Sequence, residues 1–122
     1  MYLYILKQTQ NKFYVGKTRY LKSRIINHFM FKKKGWTNKY KPESVYFIKK
    51  MNLAFEEDMK TLEMMKKYGI DNVRGGSFSN IQLSNCEISI INKMINTAED
   101  KCFICGSNTH FESDCPHKNI MF

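Results

Sequence analysis

Apolar residues fall along the chain in short clusters whose spacing changes from one segment to the next. Tyr2–Leu6 and Phe13–Gly16 are compact apolar runs joined by the polar Gln8-Thr9-Gln10-Asn11, which predicts two strands of a β-hairpin. Beyond Thr18, a residue suited to a helix N-cap, Leu21, Ile25 and Phe29 recur one turn apart. They predict a helix that ends in the Lys32-Lys33-Lys34-Gly35 run. Val45–Ile48, following Pro42, predicts a third strand. Phe55, Met59, Leu62 and Met65 mark a second helix, with Gly69 as its C-terminal cap, and Arg74-Gly75-Gly76-Ser77 reads as a loop. Ser84 and Glu87 form a capping-box pair ahead of Ile88, Ile91 and Ile95, so another helix is expected there, with Cys86 buried in it and Asn96–Asp100 as a linker. The expected fold class is α+β: a small antiparallel three-stranded sheet flanked by helices, followed by a cysteine-containing tail. Residues 1–80 form the expected main domain, residues 81–97 a helix packed on it or leading from it, and residues 101–118 the tail.

Length agrees with that division, since 122 residues accommodate one domain of roughly 80–100 residues and a small appendage. Hydrophobic residues make up 43% of the chain, enough for a packed core. No apolar run approaches the ~18–20 residues needed to span a bilayer, and the Tyr2–Leu6 run is too short for a signal-peptide core. A soluble, intracellular protein is expected, with nucleus, cytoplasm and viral compartment not distinguished. Charge is distributed unevenly. The first fifty residues hold thirteen Lys or Arg against one acid, Glu43, for a net +12, whereas the remainder carries −3. Scarce alanine (Ala54 and Ala98) with abundant Asn, Ile and Lys suggests an AT-rich genome, which inflates lysine and explains part of the excess. Even so, +12 over fifty residues attracts phosphate backbones, and nucleic acid is the expected partner.

The tail contains Cys102-x2-Cys105-x4-His110-x4-Cys115, three thiolates and an imidazole in a run of fourteen residues. Such a donor set suits closed tetrahedral zinc, and a segment this short and polar relies on the metal to fold. The spacing resembles the CCHC zinc knuckle, as do Phe103 and Gly106, although Thr109 stands where glycine usually precedes the histidine. His117 is a spare nitrogen whose spacing fits less well. Phe103, Ile104 and Phe111 suit contact with single-stranded nucleic acid, while Glu99, Asp100, Glu112 and Asp114 favour a protein partner for the knuckle.

Strand aromatics are most often core, but the residues after them are regularly spaced. Tyr4 and Tyr14 are ten residues apart across the hairpin, Arg24 is ten beyond Tyr14, and His28 follows Arg24 by one helical turn. In this ordered set the sequence resembles the GIY-YIG nuclease family. Tyr2-Leu3-Tyr4 stands for the first triad, with Tyr2 in place of glycine, and Tyr14-Val15-Gly16 followed by Lys17 stands for the second. Leu21, Arg24 and His28 match the family's first helix, and Gly35-Trp36-Thr37 follows as in many members. The resemblance spans about residues 1–80.

It implies metal-dependent hydrolysis of DNA phosphodiester bonds, with RNA as a further substrate class, no membrane partner, and structure-selective or mobile-element/viral types both open. The implied catalytic set is Tyr4, Tyr14, Arg24, His28, Glu57 and Asn72. Either tyrosine serves as general base, Arg24 clamps the phosphate, and His28 assists proton transfer or positions Tyr4. The carboxylate that holds magnesium or manganese is Glu57 on its spacing to Asn72, with its neighbour Asp58 as the alternative; Glu56 is expected on the solvent face with Lys60, Glu63 and Lys67. Lys17, Lys32, Lys33, Lys34, Trp36 and Arg74 are the expected nucleic-acid contacts. A second reading, from a different class, is a catalytically inactive nucleic-acid-binding zinc-knuckle protein built on the same scaffold. The tyrosine at position 2 supports it, and the retained Tyr4, Tyr14, Arg24 and Glu57 argue against it.

Overall fold

The structure, a computed structural model, describes residues 1–30 and 35–98, and the chain divides into two units after Leu83. The expectations for Lys32, Lys33, Lys34 and the zinc knuckle lie outside the described residues.

The first unit is built on strands β1 (Tyr2–Gln8) and β2 (Lys12–Thr18), which pair antiparallel from Tyr2–Thr18 to Gln8–Lys12. Their connection is a tight turn over Thr9–Asn11 with Gln10 and Asn11 at φ 60 and 58, as the polar stretch predicted. Helix α1 (Leu21–Met30) follows, and its entry is fixed by Thr18 Oγ1, which accepts the Tyr20 N–H at 3.1 Å. A one-turn helix α2 (Trp36–Lys39) leads into β3 (Pro42–Lys50), and α3 (Glu56–Tyr68) ends at Gly69, whose N–H donates to the Met65 carbonyl.

A fourth strand, β4 (Val73–Gly75), lies parallel to β2, so the sheet order is β3-β1-β2-β4 and the sheet is mixed rather than three-stranded and antiparallel. Three residues ending in glycine give no alternation to read, which is why the segment resembles a loop in sequence. Burial creates the strand: Val73 is fully buried, and a side chain on Gly75 would overlap Val15 and come 2.9 Å from Thr61 Oγ1. The central position of β1 explains its unbroken apolar run. Leu3, Tyr4, Ile5 and Leu6 are all buried because both faces are covered, each burial worth about 1.5–3 kcal/mol for an apolar side chain.

Register assigns the two faces. Tyr4 and Leu6 share one with Tyr14, Gly16 and Thr18; Leu3 and Ile5 share the other with Phe13, Val15 and Lys17. Helix α1 contributes buried His28 to the first face. Phe29, expected in its apolar stripe, is 42% exposed, so the inward line runs through Leu21, Ile25 and His28 instead. Helix α3 covers the second face, with Tyr68 stacked on Phe13 at 4.4 Å and buried Thr61, Met64 and Met65 beneath it. Its expected stripe is only half right. Phe55 and Met59 are 75% and 58% exposed, and the inward line is Glu57, Thr61, Met64 and Tyr68 with Met65.

The second unit contains helix α4 (Asn85–Ala98), which extends into the expected linker. The capping box forms as expected, with the Glu87 N–H donating to Ser84 Oγ and the Ser84 N–H to Glu87 Oε1, each at 3.1 Å. Cys86 is exposed in the first turn and not buried. No described helix is long and apolar enough to cross a membrane.

Candidate active site

Strand β4 pairs with β2 over Phe13–Val15, so among the described residues Gly16, Lys17 and Thr18 have no strand neighbour on that side. The reason is a reversal: the Gly75 and Phe78 N–H groups donate to each other's carbonyls, at 3.0 and 2.8 Å, and turn the chain in the two residues Gly76-Ser77. Gly76 sits at φ 51, where a side chain would overlap an Asp58 oxygen. Asp58 clasps the reversal, Oδ1 accepting the Ser77 N–H at 2.8 Å and Oδ2 its hydroxyl at 2.7 Å. Glu57 then stands beside the open end of β2, its Oε1 3.9 Å from Lys17 Nζ and its side chain 17% exposed.

On the other face, at the same end of the sheet, Tyr4 lies over Gly16. A Cβ at that glycine would fall on the Tyr4 hydroxyl, 2.5 Å from its Cζ and 2.9 Å from Tyr14 Cε2. Glycine is therefore the residue that lets the two phenols converge here. The Tyr4 hydroxyl is in hydrogen-bond contact with His28 Nε2 at 2.8 Å, and the rings of Tyr4, Tyr14 and His28 are mutually 5.5–6.2 Å apart. Tyr2, where the family motif has glycine, pairs with Thr18 and Lys50 in ordinary extended backbone, so the strand needs no glycine there.

Charge links the two faces. Burial pushes the Tyr4 phenol well above its ordinary value; Tyr14 and Glu57 push the same way and Arg24 opposes them. Tyr14 is also raised, by burial first and by Glu57 next, again with Arg24 opposing. Burial raises the Glu57 carboxyl, which Lys17 counteracts and Asp58 reinforces. Exposed Arg24 on α1 and Glu57 on α3 thus act on the same pair of phenols from opposite sides.

The three adjacent acids of α3 are separated by their partners. Glu56, expected on the solvent face, is buried: its Oε1 accepts the Asn52 and Leu53 N–H groups at 3.2 Å each and lies 3.5 Å from Lys49 Nζ. Asp58 is occupied by Ser77. Glu57 is the one of the three that meets Lys17 and whose charge acts across the sheet on Tyr4 and Tyr14.

Of the residues named from sequence, Tyr4, Tyr14, Lys17, Arg24, His28 and Glu57 gather around Gly16. Asn72 does not. Its Oδ1 accepts from Lys12 Nζ and its Nδ2 donates to the Tyr68 carbonyl, both at 2.6 Å. Lys12 opens β2 at the hairpin end, four residues and roughly 13 Å from Gly16. Trp36 and Arg74, expected as nucleic-acid contacts, are both buried and hold the fold. Trp36 Nε1 donates to the Phe13 carbonyl at 3.0 Å, and the Arg74 guanidinium stacks 4.5 Å from the Trp36 ring while donating to the carbonyls of Ile70, Val73, Asn80 and Ile81. Sequence reasoning missed the Asp58 clasp. Its one signal is an Asp in the first turn of α3 with a Gly-Gly-Ser later in the chain, too common a pairing to single out.

Residues 1–64 match the family model of the GIY-YIG catalytic domain, over half of the chain and including all six residues gathered at Gly16. No curated protein and no solved structure matches the chain. The family's domains are endonucleases and generally depend on a divalent metal. A match of this extent, on the residues that the fold brings together at one end of its sheet, means that the chain belongs to the GIY-YIG family.

Proposed function

We propose that the protein is a divalent-metal-dependent endonuclease that hydrolyses phosphodiester bonds in DNA. The observation that carries this reading is the convergence of two phenols, an imidazole, a guanidinium, an ammonium and a single carboxylate at the open end of β2. Phosphodiester hydrolysis needs an activated water, charge neutralisation at the phosphate and protonation of the leaving oxygen.

Glu57 is the residue that would hold magnesium or manganese. Among the described residues no three metal-ligating side chains cluster. One carboxylate suits magnesium, which keeps several waters and takes its other contacts from substrate phosphate. Burial already disfavours the charge on Glu57, and a cation relieves that cost. A bound divalent ion supplies charge neutralisation at the phosphate and a water of lowered pKa.

Arg24, exposed and fork-shaped, binds the nonbridging oxygens. Tyr14, half-buried, is the phenol that an attacking water reaches, and it accepts the water's proton. Its own proton must leave first; Arg24 favours this, and compensation of the Glu57 charge removes the second-largest influence that holds it. Tyr4, buried against His28, fixes the ring cluster and passes protons to the imidazole. Lys17 steadies Glu57 when no cation is bound and the phosphate when substrate is. We propose in addition that Cys102, Cys105, His110 and Cys115 hold one structural zinc, with DNA or a protein as the partner of that segment.

Incubation with flap, branched, single-stranded and linear duplex DNA, with magnesium and with chelator, tests the proposal. Cleavage of at least one substrate is expected with magnesium and none with chelator. Glu57→Ala and Arg24→Ala should each reduce the rate by about 100-fold or more while the far-ultraviolet circular dichroism is unchanged, in line with loss of charge stabilisation at the reacting centre. Binding that is insensitive to chelator, without cleavage of any substrate, would refute it.

A further inference from the structure

Beside Lys17 the first unit has an open cleft of about 310 Å³, walled by Met1, Lys17, Met51, Asn52, Leu53 and Ala54. That volume lies at the lower end of the range for small-ligand sites, ~300–1,000 Å³. Two thioethers, a leucine and an alanine provide apolar walls, and Lys17 and Asn52 are the polar groups among them.

The walls are braced. Glu56 Oε1 accepts the N–H groups of both Asn52 and Leu53, and the Met51 N–H donates to the Met1 carbonyl at 2.9 Å. The segment between β3 and α3 is thus held in place at each side of the cleft, which lowers the cost of ordering it around a ligand.

Position and charge indicate the ligand. Lys17 is shared, one wall of the cleft and 3.9 Å from Glu57, so whatever enters lies beside the proposed phosphodiester site. Lys49 and Lys50 are exposed immediately before Met51, and among the described residues no acid lines the cleft. A flat ligand with apolar faces and a polar edge, tied to a phosphate, matches these walls and this setting. A nucleobase has that form, and it reaches such a cleft only when it is out of its duplex stack.

We propose that this cleft receives one unpaired nucleobase of the DNA strand being cut, from a nucleotide next to the scissile phosphate. The proposal rests on the endonuclease reading above and gives it a substrate class. DNA in which that base is already unpaired, at a flap, gap or bulge, is cut in preference to continuous duplex, because the energy of unstacking is not drawn from binding.

The test uses the full chain and a flap substrate in which an abasic nucleotide replaces, in turn, each position flanking the cut. At one position KM should rise about tenfold with kcat retained, the scale of one lost base-stacking contact. Leu53→Ala should raise KM several-fold for the intact flap and leave the abasic substrate unaffected. Equal KM for intact and abasic flaps, or an equal effect of Leu53→Ala on both, overturns the proposal. A second measurement does not need cleavage: 2-aminopurine placed in turn at each position flanking the flap junction, bound by Glu57→Gln protein, should be quenched at one of them, and Ala54→Phe, which fills the cleft, should abolish the quenching. Quenching that survives Ala54→Phe overturns the cleft assignment. Quenching without cleavage by the unaltered protein would uphold the cleft and refute the endonuclease reading. Tighter binding of an RNA flap than of its DNA counterpart would overturn the choice of DNA.

Discussion

Burial costs an ionised phenol its hydration, and Tyr4 and Tyr14 carry that cost in different degrees, Tyr4 almost wholly buried and Tyr14 half-buried. Both hold their protons above the ordinary value of 10.0, whereas in the unfolded chain they titrate normally. The folded state therefore binds more protons than the unfolded state once pH passes about 10, so the stability they contribute is complete below that pH and is lost as pH rises above it. The expected result is a denaturation midpoint that drops between roughly pH 9.5 and 11, with Tyr4→Phe flattening the drop. An unchanged slope in Tyr4→Phe would place the alkaline loss elsewhere. These residues were legible in the sequence because their geometry is local: a hairpin and the next helix turn fix Tyr4, Tyr14, Arg24 and His28 with no knowledge of distant contacts. Arg74 and Trp36 were misread because an arginine and a tryptophan in a basic protein suggest a nucleic-acid surface. What holds them inside is a set of backbone carbonyls, those of Ile70, Val73, Asn80 and Ile81 for Arg74 and that of Phe13 for Trp36, and such groups leave no mark on side-chain patterns.

The first turn of α3 shows how an element gives neighbouring residues unrelated tasks. At about 100° per residue, Glu56, Glu57 and Asp58 point to three sides, and each side meets a different part of the chain. Glu56 holds residues 52–53, Asp58 holds Ser77, and Glu57 is left for Lys17 and the tyrosines. Asp58→Ala removes two charge-assisted hydrogen bonds and should cost about 1–3 kcal/mol in denaturant unfolding. Cleavage at saturating magnesium should persist in Asp58→Ala, in contrast to Glu57→Ala. A magnesium titration that finds Asp58→Ala inactive at every concentration would transfer the metal role to Asp58. Periodicity located this helix and its Gly69 cap, but the buried face depends on what the helix meets. The sheet presents Phe13, Val15 and Gly75, and these select Thr61, Met64 and Tyr68 over the more conspicuous Phe55 and Met59. Strand β4 was illegible for the same reason, since only its place beside β2 makes it a strand.

Over the whole molecule, six of the thirteen Lys and Arg among the first fifty residues fall on the elements that meet at the open end of β2. Lys17, Arg19, Lys22, Arg24, Lys49 and Lys50 are all exposed there. If most of the six meet phosphates, the affinity of Glu57→Gln protein for duplex DNA should fall with salt at a log–log slope of about −4 to −5. Lys49→Ala with Lys50→Ala should make the slope shallower by about 2, read by fluorescence anisotropy across a potassium chloride series. A slope near zero would mean that the charge reflects genome composition alone. Strand β4, finally, bears on how such a protein gains or loses its activity. Continued in register, it would set Gly76 beside Gly16 and Ser77 beside Lys17, in the space that Glu57 now overlooks. A two-residue insertion before the reversal should fill that space and, under the proposed function, abolish magnesium-dependent cleavage with Tyr4, Tyr14, Arg24 and Glu57 all retained, as a cleavage assay of the insertion variant would read; the length of one loop then holds as much heritable information about function as the identity of any residue in it.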